Sequence, residues 1–307
     1  MSIILGKDST WHYIFIVNTL SNIISVNFLF LAGIDSPEYS ALTTGDENKL
    51  KQLFERFSKI YTDWNDPDCI QRLAISRAKK RGAKMNILKN YKTLFSQRGT
   101  RNALIYVSYT MTFIPLSGII QVVVYITSAL LDVGFSRFGA ELVNLGIGVL
   151  GGITSFIGSI VYEKLSHRPV LMLTQLIQGF CMLGLVFTLQ EANQNIIFIF
   201  LSIALASISM VAFRMGASLI VWATPATYMT IEYRASTSGL SSSFNWFFTF
   251  VVLVLYPVLY DYIGTKVYYI YAFWTLSSVV VCWFFQVEAK GRTNEECLEE
   301  FSKFLNS

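Results

Sequence analysis

The stretch ANQNIIFIFLSIALASISMVAF, Ala192 to Phe213, runs for 22 residues without a charge and is followed at once by Arg214. A helix of ~20 apolar residues, rising 1.5 Å per residue, crosses a hydrocarbon core ~30 Å thick. Six more uncharged stretches reach that length: Tyr13–Ala32, Asn102–Leu131, Leu142–Tyr162, Pro169–Gln190, Ala235–Tyr260 and Val267–Val287. Charged residues make up only 14% of the 307, against roughly 25% in a typical soluble domain. That is too few to clothe a soluble core of this size. The composition therefore predicts a polytopic helical membrane protein. It excludes a soluble enzyme, a secreted disulfide scaffold and a nucleic-acid-binding module.

Division of the stretch at Arg214 into two spans would need a loop at Phe213-Arg214-Met215-Gly216, where there is no room for one. One long helix ending near Thr224 is expected instead, giving seven transmembrane helices. The basic residues then orient the chain. Asp35–Arg101 holds fourteen Lys/Arg and eight Asp/Glu, and with seven spans it shares a side with Glu163–Arg168, Glu232–Arg234 and the tail after Glu288. That side collects twenty Lys/Arg against three on the other, Lys7, Arg137 and Lys266. Cytoplasmic loops carry the Lys/Arg excess, so the long segment and the C-terminus are expected in the cytoplasm and the first residue outside. The run after Lys7 and Asp8 is too long for a signal-peptide core and lacks a small-residue cleavage site.

The expected domains are a first transmembrane helix with its lead-in (1–34), a cytoplasmic amphipathic-helix segment (35–101), a six-helix bundle (102–287) and a cytoplasmic tail (288–307). Within the second, Thr44 and Glu47 form a capping box, followed by an apolar stripe at Leu50, Leu53, Phe54, Phe57 and Ile60. Asp66-Pro67 starts a second helix that ends by Gly82, and Met85–Phe95 makes a third. Lys79-Lys80-Arg81 reads as topology and attraction to anionic lipid, about 1 kcal/mol per basic residue, not as a nucleic-acid patch. Cys181 and Cys282 lie in apolar stretches and Cys69 and Cys297 in polar ones, with neither CxxC nor metal-ligand spacing.

Several short strings resemble signatures of the sugar porter branch of the major facilitator superfamily, the facilitative glucose transporter-like proteins. Val287-Glu288-Ala289-Lys290-Gly291-Arg292-Thr293 resembles the PETKGRT that follows the last helix. Asp35-Ser36-Pro37-Glu38-Tyr39 resembles PESPR after helix six, and Leu116-Ser117-Gly118-Ile119 resembles the QQLSGIN of helix seven. Glu163–Arg168 resembles the ERAGRR turn, Asn245-Trp246 the Asn-Trp pair of helix eleven, and Trp222 the Trp ending GPGPIPW in helix ten. Their order and spacing match over essentially the whole chain. The resemblance implies an all-α membrane protein corresponding to helix six plus the C-terminal half of a twelve-helix fold. Such a fold rocks one half against the other around a midplane site, so it also implies a missing N-terminal half or another transporter chain as partner.

The same resemblance implies a substrate site, of which much is replaced. The two Gln before LSG are Ile114 and Pro115, the Asn after it is Ile120, and the helix-eight Asn falls at Gly151. The helix-ten Glu is Arg214, and the prolines of GPGPIPW are Ala217, Leu219 and Val221. Trp222, Asn245 and Trp246 are retained, with Gln121, Ser117 and Thr249 as further polar candidates. Gln121 lies about 100° round the helix from the lost Asn. Arg214 stands deep in an apolar helix, where an ionisable group by default marks a cavity or a pairing. Snorkelling to the cytoplasmic headgroups is the competing reading. The implied cytoplasmic gate keeps Glu163, Arg168, Arg234, Glu288 and Arg292; Thr227, His167 and Glu38 depart from the pattern.

The expected function is movement of a small-molecule solute, a carbohydrate with hexoses as candidates, across the bilayer, with the plasma membrane as its expected place. The alternative is a half-carrier that does not transport and acts as a sensor or regulatory partner of a full-length transporter. No catalytic constellation, metal site, phosphate loop or cofactor motif is expected. Gly148, Gly151 and Gly152 read as a helix-packing surface.

Overall fold

The computed structural model describes residues 12–32, 87–132, 134–192 and 195–303. It separates into two units, 1–89 and 90–307. Among the described residues every regular element is helical. In the first unit, α1 (His12–Ala32) is an apolar helix whose Ser25 and Asn27 side chains bond back to the carbonyls of Ser21 and Ile23. The expected helices from Thr44 to Gly82, the Lys79–Arg81 cluster, Glu38 and Cys69 lie outside the described residues. α2 (Ile87–Ser96) falls where the third amphipathic helix is expected.

In the second unit come α3 (Arg98–Leu116), α4 (Ile119–Asp132), α5 (Arg137–Lys164), α6 (His167–Gln190), α7 (Ile196–Ala212), α8 (Ser218–Tyr228), α9 (Ile231–Ile263), α10 (Val267–Phe285) and α11 (Asn294–Lys303). Five described stretches are long and apolar enough to cross a membrane, and the last, Glu232–Phe285, holds both α9 and α10. The protein is thus an integral, multi-pass, all-α membrane protein. Ser136 and Asn195 start α5 and α7 by accepting from the amides of Gly139 and Ile197.

Two expected helices are broken. The stretch Asn102–Leu131 is not one rod: α3 ends at Leu116, and Gly118 takes φ +82° before α4 begins. A Cβ there would lie 2.9 Å from the Tyr271 side chain of α10, so the position excludes a side chain for two reasons. The helix expected to end near Thr224 continues to Tyr228, and it carries a π-helical segment, Phe213–Ala217, between α7 and α8. The prolines missing at 217, 219 and 221 have therefore not left that helix regular.

In a bilayer a freed carbonyl finds no water. A proline inside a helix removes the donor to the carbonyl four residues before it. Three such carbonyls arise here, and each is satisfied by a side chain. Pro115 frees Met111 O, which accepts from Asn245 Nδ2 of α9 at 2.7 Å. Pro257 frees Leu253 O, which accepts from the Tyr125 hydroxyl of α4 at 3.1 Å. Pro225 frees Val221 O, which accepts from Thr224 Oγ1 at 2.6 Å. The first two bonds tie α9 to both halves of the broken helix.

Glycines set the remaining close approaches. A Cβ at Gly179 would meet Leu276 of α10 at 2.6 Å, and one at Gly184 would meet Leu205 of α7 at 2.8 Å. The reading of the α5 glycines is corrected in part. Gly151 and Gly158 do face α7 and the π-helical segment, but Gly148 and Gly152 have nothing within 4 Å among the described residues.

Replacement of Gly118 by Ala is expected to destabilise the bundle by ~1–3 kcal/mol, while Gly148→Ala, helical and open, leaves the melting temperature in detergent within error. Equal melting temperatures for the two variants would refute the assignment of Gly118 as the hinge of α3–α4.

Candidate functional site

The seven candidate substrate residues do not gather at one place. Ser117, at the helix break, is fully buried; its hydroxyl donates to Ile114 O at 2.8 Å and accepts from Gln178 Nε2 of α6 at 3.1 Å. Gln121 follows one turn later and is 0% exposed, with neither amide atom hydrogen-bonded. It thus sits in the interior of the bundle, as its angle from the lost Asn suggests. Asn245, 3% exposed, holds the Met111 carbonyl, and Thr249 Oγ1 donates to Asn245 O at 2.8 Å. The adjacent Trp246 is 65% exposed and Trp222 is 47% exposed. Two indole faces therefore remain on open surface of the bundle, where an apolar ring can stack against the aliphatic face of a solute or a second set of helices.

Arg214 lies in the π-helical segment, half-buried, with its guanidinium carbon 5.9 Å from the Phe213 ring centroid. Its Nε is buried without a hydrogen bond. Gly151 of α5 lets the two helices close up beside it: a Cβ there would lie 3.7 Å from Arg214 Cγ and 2.9 Å from Met210 Cε.

Two hollows accompany the site without containing it. One of about 30 Å³ is lined by Val122, Ile126, Leu185, Ile199 and Tyr268, and is apolar and too small for a sugar. The other, about 310 Å³, lies between α3, α10 and α11 against Ile105, Tyr109, Val281 and Phe285, and none of the seven candidates lines it.

Sequence reasoning missed an interior polar seam. Gln175 and Gln178 of α6 and Ser278 of α10 are buried, and both glutamine Oε1 atoms lack partners. It also missed a tyrosine cluster. Tyr125 stacks on Tyr256 at 4.6 Å, Tyr256 and Tyr268 share a hydroxyl hydrogen bond of 3.0 Å, and Tyr271 stacks on Tyr256 while covering Gly118. The available signal was polar and phenolic residues within otherwise uncharged stretches, together with the prolines that need donors.

The expected gate residues lie at or beside helix ends, and the Arg168 side chain is held there by a backbone carbonyl. Arg168 donates to Trp283 O and places its guanidinium 5.5 Å over the Trp283 ring. Lys290 Nζ donates to Lys164 O, at the C-terminal end of α5 where the helix dipole favours a cation. Glu288 accepts from the Lys290 amide at 3.3 Å, and the Arg292 amide donates to Ala289 O. Glu163 is exposed beside Lys164, and Arg234 stands in the first turn of α9, its amide on Thr230 O at 3.0 Å. Arg137 pairs with Glu141 and Lys303 with Glu300, each within one helix. Lys303 holds the Glu300 carboxyl below its ordinary value.

The tail after Glu288 is structured. Thr293 and Glu296 form a reciprocal capping box, 2.8 Å and 3.3 Å, that starts α11. Asn294 donates to the carbonyls of Ala226 and Met229, the Tyr228 hydroxyl to Val287 O, and Asn102 to Phe301 O. Tyr106, Tyr228 and Phe301 pack ring against ring, and Cys297 and Leu94 close a small core around them. Burial pushes the Cys297 thiol above its ordinary value.

A family profile described as "Sugar (and other) transporter" matches residues 2–301. The chain belongs to the sugar transporter family. That family is one of transporters, not of enzymes. The chain is 25% identical over 310 aligned residues to the human solute carrier family 2, facilitated glucose transporter member 9, covering 98% of this chain and 54% of that protein. It is 23% identical to rat member 2, covering 99% and 56%, and 26% identical over 212 residues to the silkworm facilitated trehalose transporter Tret1, covering 67% and 41%. The chain spans about half the length of the curated relatives it matches. Among solved structures, a double-tryptophan mutant of XylE superposes with TM-score 0.78 at 18% identity, covering 97% of this chain and 62% of that one. The proton:xylose symporter XylE superposes with TM-score 0.74 at 17% identity, over the same shares. These carry the major facilitator fold.

Asn245→Ala is expected to lower stability by ~1–3 kcal/mol, the penalty of an unsatisfied buried carbonyl. In a Pro115→Ala background most of that loss should vanish, because an alanine in place of the proline supplies the missing N–H to Met111 O. A double-mutant cycle by thermal unfolding in detergent measures the coupling, and additive effects would show that Asn245 does not serve the proline break. In a Cys69→Ser background, maleimide labelling of Cys297 should be slow and should accelerate several-fold with Thr293→Ala. Mass spectrometry of the labelled peptide reads it, and equal rates would mean that the capping box does not hold α11.

Proposed function

We propose that this chain forms seven transmembrane helices, α1 included, of a sugar-porter-type carrier that moves a carbohydrate or related small solute by alternating access. The observation that carries the proposal is the pair of discontinuous helices, α3–α4 broken at Ser117–Gly118 and α7–α8 broken at Phe213–Ala217. Transporters build midplane substrate sites from such helices, and π-helical turns recur at functional positions. The relatives' names, with glucose, trehalose and xylose among them, point to sugar-sized cargo. Trp222 and Trp246 supply stacking faces for it. Ser117, Gln121, Asn245 and Thr249 supply polar groups for it, and Glu163, Arg168, Arg234, Glu288 and Arg292 form the inner-end network. The rest of the rocking pair comes from more of the same polypeptide or from another transporter chain. The domains divide at 34/35, 101/102 and 287/288, with the 35–101 segment and the tail in the cytoplasm and the plasma membrane as the site of action.

A second reading rests on Asn245, which gives one of its two amide N–H donors to a backbone carbonyl and so has less to offer a sugar hydroxyl. On that reading the protein binds solute and regulates a full-length relative without moving it. Uptake of radiolabelled hexoses into cells producing the protein, beside quenching of Trp fluorescence in the purified protein, separates the two. Saturable uptake that Trp246→Leu reduces ~10-fold, the equivalent of about 1.4 kcal/mol, is expected. Quenching without uptake would establish the regulatory reading and overturn the carrier.

A further inference from the structure

Arg214 carries an inference that rests on the carrier reading and narrows its cargo. An arginine in a membrane helix has three ways to settle: reach the headgroups, pair with an acid, or hold an anionic ligand. The geometry removes the first. Arg214 lies just past the middle of the helical run Ile196–Tyr228, with Tyr228 about 21 Å further on at 1.5 Å per residue. Its own carbonyl oxygen faces Gly158 of α5, 2.9 Å from where a Cβ would stand, whereas its Cγ faces Gly151, seven residues nearer the start of α5. The side chain therefore runs away from the Lys164 end of α5, the end closed by Lys290 and the turn to α6. Its stem lies against the middle of α5.

The second way is closed among the described residues. Asp132, Glu141, Glu163, Glu232 and Asp261 all lie near the ends of their helices, and Arg214 has no ion pair or side-chain hydrogen bond. Its surroundings are Phe213, Met210 and the bare backbone at Gly151. A guanidinium placed in this way lacks the charge-assisted bonds it is built to make, and its planar fork suits a carboxylate bidentately. Gly151 lets Met210 Cε close against the α5 backbone beside the Arg214 stem, so neither Gly151 nor Met210 offers the guanidinium a side-chain hydrogen-bond partner.

We infer that Arg214, at the π-helical break and over Gly151, binds the carboxylate of an anionic, sugar-sized solute, so that the cargo is a sugar acid and not a neutral hexose. The purified full chain in lipid nanodiscs, titrated with D-glucuronate and D-glucose at pH 7 and read by Trp fluorescence, tests this with two ligands of the same ring. Glucuronate is expected to bind at least ~10-fold more tightly than glucose, the gain of one charge-assisted pair. Arg214→Gln should abolish the difference by weakening glucuronate alone, and Arg214→Lys should keep part of it. The melting temperature of Arg214→Gln should not fall, because an unpaired charge is removed from the helix. Equal affinities in the unaltered protein, or a preference that survives Arg214→Gln, would overturn the inference and leave the carrier reading standing. Binding of neither sugar would overturn both. An Arg214-dependent preference for glucuronate with no flux would uphold the inference and overturn the carrier reading.

Discussion

The structure turns on the need to satisfy backbone carbonyls that prolines have freed where no water is present to do so. Pro115, Pro225 and Pro257 each remove one intrahelical donor, and Asn245, Thr224 and Tyr125 each restore one. Two of the three restorations cross between helices, and they do so reciprocally: α9 gives a donor to α3 and receives one from α4. The broken helix is thereby held at both of its halves by one partner. Between those two anchor points the chain can turn at Gly118, and Tyr271 packs into the space that the glycine leaves. A break so placed is a supported feature of the fold, since a lone kink at that depth would leave Met111 O unpaired at a penalty of about 1–3 kcal/mol.

The interior has an uneven polarity that follows from this arrangement. Behind the break, Ser117 and Gln178 join α3 to α6, while Gln121 and Gln175 carry amide atoms without partners. Buried polar atoms of this kind are ordinarily met by ordered water, and those of α6 lie on a helix that Gly179 and Gly184 bring close to α10 and α7. At the far end the tail adds a second, smaller core of Tyr106, Tyr228, Cys297 and Phe301. It is tied down by backbone acceptors and a capping box. Ion pairs at this surface would add only about 0–1 kcal/mol each, and Arg168 and Lys290 instead fasten these helix ends through backbone carbonyls.

The membership of the sugar transporter family and the altered residues at its implied site are compatible once each residue is assigned its physical task. Asn245 is retained because a helix needs its amide, whatever a solute needs. Trp222 and Trp246 are retained as open aromatic faces. The replaced positions, Gly151 and Arg214, lie together, so the missing amide and the reversed charge form one local change in chemistry.

The sequence by itself determined the environment, the helical class and the family, because uncharged runs of membrane-crossing length and the ordered strings from Leu116 to Thr293 are local properties of the chain. It also contained the capping box at Thr293–Glu296, the prolines and the positions of Arg214 and both tryptophans. Only the tertiary structure decided which polar residues face one another. Whether Asn245 meets a solute or Met111 O, whether Gln121 turns toward a cavity or the packed interior, and which α5 glycines touch a neighbour all depend on helix rotation and crossing. Period alone does not set these, since an apolar bilayer lets nearly every face of an uncharged helix point outward. The direction of Arg214 was decided in the same way: its sequence depth left two routes open, and the contacts of Gly151 and Gly158 with one residue selected between them.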